Sequence, residues 1–340
     1  MDEERVLLDH GSGGRASQRL IREVFLRHFS NPALAAMDDA ARLDPVPGAL
    51  SMSTDGYTVD PVEFPGGDIG CLAVHGTVND VSMLGAKPLY LSCAFILEEG
   101  LSLALLERVA KSMGAAARAA GVVIVGGDTK VVPRGAADKI FIVSTGIGRI
   151  LIDPPPSGAR ALPGDALLLS GEVGEHGLAI LSGREKMQGF PGLRSDCASL
   201  NRMVEALIRE VGDIHALRDP TRGGLATSLC EIAAQSGVVC LAREEDIPVR
   251  AEVNAACSLL GLDPLYLANE GKLICVLPAD RARTALEVMR SFPEGRLAAR
   301  IGEIEAPGLK TRPGQTLLRT LPGGLRLLSM LEGEQLPRIC

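Results

Sequence analysis

None of the eight cysteines in the chain stands in a C-x-x-C spacing. That argues against a zinc ribbon and against a thioredoxin-like site. There is no apolar run long enough to cross a bilayer. The first residues, Met1-Asp2-Glu3-Glu4-Arg5, are acidic and lack the basic region and apolar stretch of a signal peptide. The cytoplasm is therefore the expected compartment, and no membrane partner is expected. An excess of basic charge is missing too: the formal net charge is −7. A nucleic-acid surface held by bulk electrostatics is thus not expected. Tryptophan is absent. His10, His75, His176 and His215 show no metal-ligand spacing and read as local structural residues, and His28 reads as a surface residue.

What is present is enough for a real core. At 340 residues, two domains are the natural expectation, and 46% hydrophobic with 23% charged residues is ordinary for a globular protein. The 39 glycines imply many tight turns and close backbone approaches. Cysteines inside apolar runs, such as Cys275 in Leu273–Leu277, read as small buried hydrophobes.

Periodicity predicts a first helix over Arg15–Phe29, where Leu20, Ile21, Val24, Phe25 and Leu26 recur at helical spacing. Extended segments follow at Leu50–Thr54, Leu89–Leu97, Val122–Val125 and Lys139–Gly146, with a helix near Ser102–Ala120. This order predicts an α+β half whose sheet is covered on one face. The Pro-rich break Asp153–Gly158 then marks a boundary. Beyond it, strands are expected at Asp165–Ser170, Val238–Leu241, Lys272–Leu277 and Ala298–Glu303. Helices are expected at Ser199–Val211, Gly224–Ser236, Val249–Leu260 and Arg281–Phe292. The domains so drawn are 1–152, 153–322 and a tail, 323–340.

Four clusters could carry chemistry. Asp9-His10-Gly11-Ser12-Gly13-Gly14-Arg15 precedes the first helix, where glycines let backbone amides face an anion and the helix dipole helps. No Gly-Lys-Ser/Thr follows, so this is not a P-loop, and alone such a stretch is more often a plain turn. The second cluster is acidic and lies at expected strand ends: Ser53-Thr54-Asp55-Gly56-Tyr57 with Asp60, Thr77-Val78-Asn79-Asp80-Val81, and Gly126-Gly127-Asp128-Thr129-Lys130. Hard oxygen ligands from several loops are what Mg²⁺ needs when it bridges phosphates, whereas one such Asp alone serves as a turn or cap. The third, Arg218-Asp219-Pro220-Thr221-Arg222-Gly223-Gly224, opens a helix, and Arg222 with the following amides could hold phosphate. Its plainer reading is a helix start capped by Asp219 or Thr221. The fourth, Asn269-Glu270-Gly271-Lys272, precedes a strand and in isolation reads as a polar turn. Last, the chain ends on a thiol, Cys340, behind Leu336-Pro337-Arg338-Ile339.

Together these motifs resemble the superfamily of aminoimidazole ribonucleotide synthetase, selenophosphate synthetase and thiamine monophosphate kinase. Within it they resemble the HypE family, the carbamoyl dehydratases of nickel–iron hydrogenase maturation. The Asn79–Pro88 stretch is of the superfamily type, and Pro337-Arg338-Ile339-Cys340 is of the HypE type. The resemblance implies an α+β, two-domain PurM-like fold. Its N-terminal half is a sheet that pairs in a homodimer, its C-terminal half an α/β sandwich, and its tail flexible. It implies ATP and Mg²⁺ as cofactors, with Asp55, Asp80 and Asp128 as the metal set. It places Asp9, Gly11, Ser12, Gly13, Gly14, Asn79, Gly127, Thr129, Asp219 and Arg222 around the nucleotide and its phosphates. Cys340 is then the carrier of a carbamoyl group, with Lys130 and Glu270 handling protons or orienting that group. The implied partners are the carbamoyltransferase HypF and an iron-carrying HypC–HypD complex. The implied reaction is ATP-dependent dehydration of an S-carbamoyl group to a thiocyanate.

Overall fold

The computed structural model describes residues 4–185, 192–333 and 336–340; Met1–Glu3, read above as acidic, lie outside them. Side-chain alternation builds the first sheet. In β1 (Leu50–Tyr57), Ser51, Ser53, Asp55 and Tyr57 turn inward while Leu50, Met52 and Thr54 stay exposed. Helix α1 (Ile69–Met83) lies under that inner side: Ser51 Oγ donates to the Val81 carbonyl at 3.3 Å, and Tyr57 Oη and Thr77 Oγ1 are 3.1 Å apart. Strand β2 (Ala86–Glu98) is followed by helix α2 (Leu103–Ala120) and strand β3 (Val123–Val132). Helix α2 is the crossover that a parallel β2–β3 pair requires. Strand β4 (Ile140–Ile150) pairs antiparallel with both β1 and β2, giving the order β1-β4-β2-β3.

Local chemistry sets the helix ends. The Ser102 side chain accepts from the Leu105 N–H, and Gly121 closes α2 in the left-handed region at φ 76°. The Asp68 carboxylate accepts from the N–H groups of Gly70 and Cys71 to start α1. Gly76 is required where α1 meets β1: a Cβ there would lie 2.4 Å from Tyr57 Oη. No helix was expected at 69–83. Nearly every residue of α1 is buried, so no polar face exists to give it a 3.6-residue period. Asn79 and Asp80 therefore sit on a buried helix rather than in a loop, and Asp55 and Asp128 lie inside strands rather than at their ends.

The second half forms a seven-stranded sheet. Its elements are β5 (Asp165–Leu169), α3 (Glu175–Glu185), α4 (Asn201–Glu210), β6 (Ala216–Arg218), α5 (Gly224–Ser236), β7 (Val239–Arg243), α6 (Ala251–Leu260), β8 (Ile274–Pro278), α7 (Ala282–Arg290), β9 (Ala299–Glu305), β10 (Thr316–Arg319) and β11 (Leu325–Leu328). The strand order is β11-β10-β7-β9-β5-β8-β6, and the sheet runs past residue 322 through β11. Helices α4 and α7 cover one face around Leu168, Leu207 and Leu277, while α5 covers the other around Leu167, Leu229 and Val276.

The expected first helix runs from Arg15–Leu20 through a π-helical turn, Ile21–Phe25, to Leu26–Phe29. His28 is not a surface residue: its side chain is 13% exposed, 3.8 Å from Glu107. The tail is docked. Thr58 N–H donates to the Cys340 carbonyl at 3.0 Å and Asp60 N–H to the Arg338 carbonyl at 3.2 Å, a strand-like pairing. Ile339 is buried in the core of the first half. Of the tail, Glu334 and Gln335 lie outside the described residues.

Candidate active site

Four carboxyl groups and the terminal thiol converge between the two halves. Asp55 comes from β1, Asp80 from α1, Asp219 from the turn before α5, and Glu270 from the approach to β8. Ser53 Oγ donates to Asp80 at 2.7 Å. Burial, then the charges of Asp219 and Asp55, push the Asp80 carboxyl up to about 8. Asp219 is pushed up to about 6, first by burial, with Asp55 and Glu231 adding and Arg218 opposing. Glu270 is 3% exposed. Burial, then Asp219, Asp196, Asp80 and Asp55, hold its carboxyl well above the ordinary range.

Cys340 faces this cluster. Burial and the charges of Glu270 and Asp55 push its thiol up to about 12, with Arg222 pulling the other way. Arg338, two residues before the thiol, is engaged elsewhere: Nη1 pairs with Asp138 at 2.6 Å and Nε donates to the Thr58 carbonyl at 2.8 Å. Arg222 stands between two cavities. One, of about 310 Å³, is walled by Thr58, Arg222, Ala268 and Cys340. The other, of about 470 Å³, is walled by Asp80, Arg218, Asp219, Thr221 and Arg222. Gly223 and Gly224, at φ 81° and 62°, let this turn pass close under the chain: a Cβ on Gly224 would lie 2.5 Å from the Leu265 carbonyl. Asp219 does not cap α5; its Oδ2 is buried with no hydrogen-bond partner.

A third cavity, of about 770 Å³, gathers Gly11, Ser12 and Gly13 against Gly127, Asp128, Thr129 and Lys130. Phe25, Phe29 and Ile124 give it an apolar wall. Gly11 is needed here, because a Cβ would lie 2.6 Å from Val131 N. Asp9 buttresses the loop rather than lining it: its carbonyl accepts from Ser12 and Ser17 hydroxyls at 2.9 and 3.2 Å. Gly14 is the N-cap of the first helix.

Two expected groupings do not form within one chain. Asp128 pairs across the sheet with Ala94, one place on from Gly127 opposite Cys93, whereas Asp55 shares its row with Ser144 and Cys93. By alternation Asp128 points to the open face, away from α1, and it pairs there with Lys130 at 2.8 Å. That hydrogen bond holds the Asp128 carboxyl below its ordinary range. The metal set Asp55, Asp80 and Asp128 is thus split, and Lys130 is likewise remote from the buried Glu270. Asn79, expected at the phosphates, is occupied as a brace. Its Nδ2 donates to the Ala198 and Glu270 carbonyls at 3.0 and 3.3 Å, and its Oδ1 accepts from Leu200 N–H at 2.8 Å.

Two residues that support the site, Asp196 and His176, carry no sequence signal. Asp196 accepts from Glu270 N–H at 3.0 Å and from Lys272 Nζ at 3.0 Å. Burial pushes its carboxyl up, but Lys272 and that N–H outweigh it and hold it below the ordinary range. His176 Nε2 lies 2.6 Å from the Ile339 carbonyl. The Asn269–Lys272 stretch is more than a polar turn. Lys272 is 7% exposed, and Asn269, fully buried, donates to the Pro220 carbonyl at 2.9 Å.

Buried, mutually repelling carboxyls with an orphaned oxygen on Asp219 form an anionic pocket suited to a hard dication with phosphate ligands. Residues 37–150 match the AIR synthase related protein N-terminal domain and residues 163–312 the C-terminal domain. Fold and site thus define an AIR synthase related protein of two such domains. The carbamoyl dehydratase HypE of Cupriavidus necator is 52% identical over 99% of this chain and 95% of its own length. A crystal structure of the hydrogenase maturation protein HypE in complex with ATP is 66% identical, covers 98% of this chain and 99% of that one, and superposes with a TM-score of 0.96. A HypE–HypF complex structure is 46% identical, covers 92% of this chain and 99% of that one, with a TM-score of 0.80. The chain belongs to the HypE family of carbamoyl dehydratases, proteins of hydrogenase maturation.

Proposed function

We propose that the chain dehydrates a carbamoyl group carried on its own Cys340, using ATP, and so delivers a thiocyanate whose cyano group becomes a ligand of iron in nickel–iron hydrogenase maturation. The observation that carries this reading is the position of the thiol: Cys340 lines one cavity with Arg222, and burial first, then the nearby Glu270, raises its titration. A thiol held as neutral SH is a carrier, not a nucleophile toward ATP. The ATP-bound relative supports ATP as the co-substrate, and the HypE–HypF complex supports HypF as the source of the carbamoyl group. An iron-carrying HypC–HypD complex is the acceptor in this reading.

The steps balance as S-carbamoyl enzyme plus ATP giving S-cyano enzyme, ADP and phosphate. The amide oxygen is a poor leaving group, and its phosphorylation makes it leave as phosphate while the nitrogen sheds two protons. Arg222 neutralises charge on the transferring group, and Asp219 and Asp80 border the same cavity. Asp55, Asp80 and Asp219 would hold Mg²⁺, which supplies charge neutralisation at the phosphates. Burial is the first cause that raises Glu270, and the charges of Asp219, Asp80 and Asp55 add to it; a cation held by those three would lower that added part and favour the carboxylate that takes an amide proton. The glycine loop and Asp128–Lys130 belong to the nucleotide's surroundings. They open on the face of the first sheet that also exposes Leu50 and Met52, at 54% and 68%, which supports pairing of that face with a second copy.

ATP consumption tests the reading. The chain with a carbamoylated tail consumes ATP, whereas Cys340→Ala, or the uncarbamoylated chain, does not. Turnover by the alanine variant with a diffusible substrate would replace this account with a small-molecule kinase.

A further inference from the structure

A second cluster lies beside the acids and is not used by them. Cys71 and His75 stand one turn apart on α1, so they share a face of that helix. Cys197 reaches them from the segment before α4, in the second half. The two sulfurs and a ring nitrogen of His75 lie within 4.8 Å of one another. Among the described residues, no other three His, Cys, Asp or Glu side chains meet so closely.

The surroundings are those of a ligand set. Ser199 Oγ is 2.7 Å from His75 Nδ1, the outer contact that fixes a ligating imidazole. Cys71 sits in the first turn of α1, where its sulfur lies 3.2 Å from both the N–H and the carbonyl oxygen of Asp68, which hold it in place. Tetrahedral zinc, with sulfur at about 2.3 Å and nitrogen at about 2.0 Å, needs donors roughly 3.5–3.8 Å apart. Donors already within 4.8 Å reach that spacing by side-chain adjustment.

We propose that Cys71, His75 and Cys197 form a binding site for one thiophilic divalent cation, zinc being the type case, with a fourth position open to water. Binding forms two metal–sulfur bonds and one metal–nitrogen bond, and the two thiol protons leave to solvent. The ion would staple α1, which bears Asn79 and Asp80, to the 195–199 segment. That segment holds Glu270 through Asp196 and His176 through Ser195, whose Oγ is 2.7 Å from His176 Nδ1. The site therefore braces both the acid cluster and the docked tail. It rests on this geometry alone and is independent of the reaction proposed above.

Cobalt(II) titration of the full chain, reduced and stripped with a chelator, tests it. The expected result is one cobalt per chain with sulfur-to-cobalt charge-transfer absorption, displaced by zinc, and a higher unfolding temperature with zinc. Cys340→Ser keeps these bands, Cys71→Ser and Cys197→Ser lose them, and Ser199→Ala weakens binding about tenfold without removing them. Should the cysteine variants fail to fold, His75→Gln provides the same comparison through loss of the nitrogen ligand. Absent charge-transfer bands, bands that persist in the Cys71→Ser/Cys197→Ser double variant, or a Cys71–Cys197 disulfide in freshly purified protein would each overturn the proposal.

Discussion

His176 Nε2 lies 2.6 Å from the carbonyl oxygen of Ile339, one residue before the end of the chain. A carbonyl only accepts, so Nε2 carries the proton, and Nδ1 accepts from the Ser195 hydroxyl at 2.7 Å. The ring is fully buried and edge-on to Phe64 at 5.7 Å. Burial lowers its basicity and keeps it neutral. A rigid, neutral donor thus fixes the backbone next to the Cys340 thiol, while Thr58 fixes the last carbonyl.

Removing that donor loosens the tail. His176→Ala is expected to raise the rate at which a thiol reagent modifies Cys340 by about tenfold, the equivalent of one hydrogen bond. Mass analysis of the C-terminal peptide reads it, with the buried Cys275 as an internal reference. An unchanged rate would mean that the other tail contacts suffice.

Proton linkage at the acid cluster has a definite sign. Asp80 is raised to about 8, so its contribution to stability is full below the ordinary carboxylate pKa of about 3.9 and is lost as pH rises through 8. Without Mg²⁺, the unfolding temperature should therefore fall between pH 5 and 8, and Asp80→Asn should flatten that slope. Cation binding expels the proton, so Mg²⁺ should stabilise more at pH 8 than at pH 6. The opposite order would remove Asp80 from the metal set.

Glu270→Gln preserves size and removes the ionisable carboxyl. Folding and tail docking should persist, while dehydration slows by about 10²–10⁴-fold, the usual range for a lost general base. Single-turnover assays with carbamoylated chain separate this from nucleotide binding, which should be unchanged.

Asp196 and Lys272 form a buried pair, with side chains 1% and 8% exposed. Replacing Lys272 leaves the buried Asp196 carboxylate its backbone N–H donors but takes away the cation paired with it. Lys272→Met should cost about 3–5 kcal/mol, read as a lower denaturation midpoint. The double change Asp196→Leu with Lys272→Met should recover part of that loss.

Much of this site was legible in the chain because chemistry clusters in its motifs. The glycine loop at Gly11–Gly13 and the Gly127–Lys130 stretch do meet around one cavity, and Asp55, Asp80 and Asp219 do converge. Alternation and helical periods located most strands and helices. Helix α1 escaped because burial on all sides erases period, and with it went the true setting of Asn79. Face was also illegible: Asp128 and Lys130 point away from Asp55 because of sheet register, which needs the pairing partner to be known. His176, Asp196 and Cys197 sit in no pattern, and only the folded chain shows what they hold.

The most direct test is the mass of the C-terminal peptide. Chain loaded with carbamoyl at Cys340 is mixed with Mg·ATP for one turnover and cleaved. The account predicts that the peptide carrying Pro337–Cys340 loses the mass of one water as ADP and phosphate appear in equal amounts. Full carbamoyl mass retained on that peptide after ATP has been consumed would contradict it.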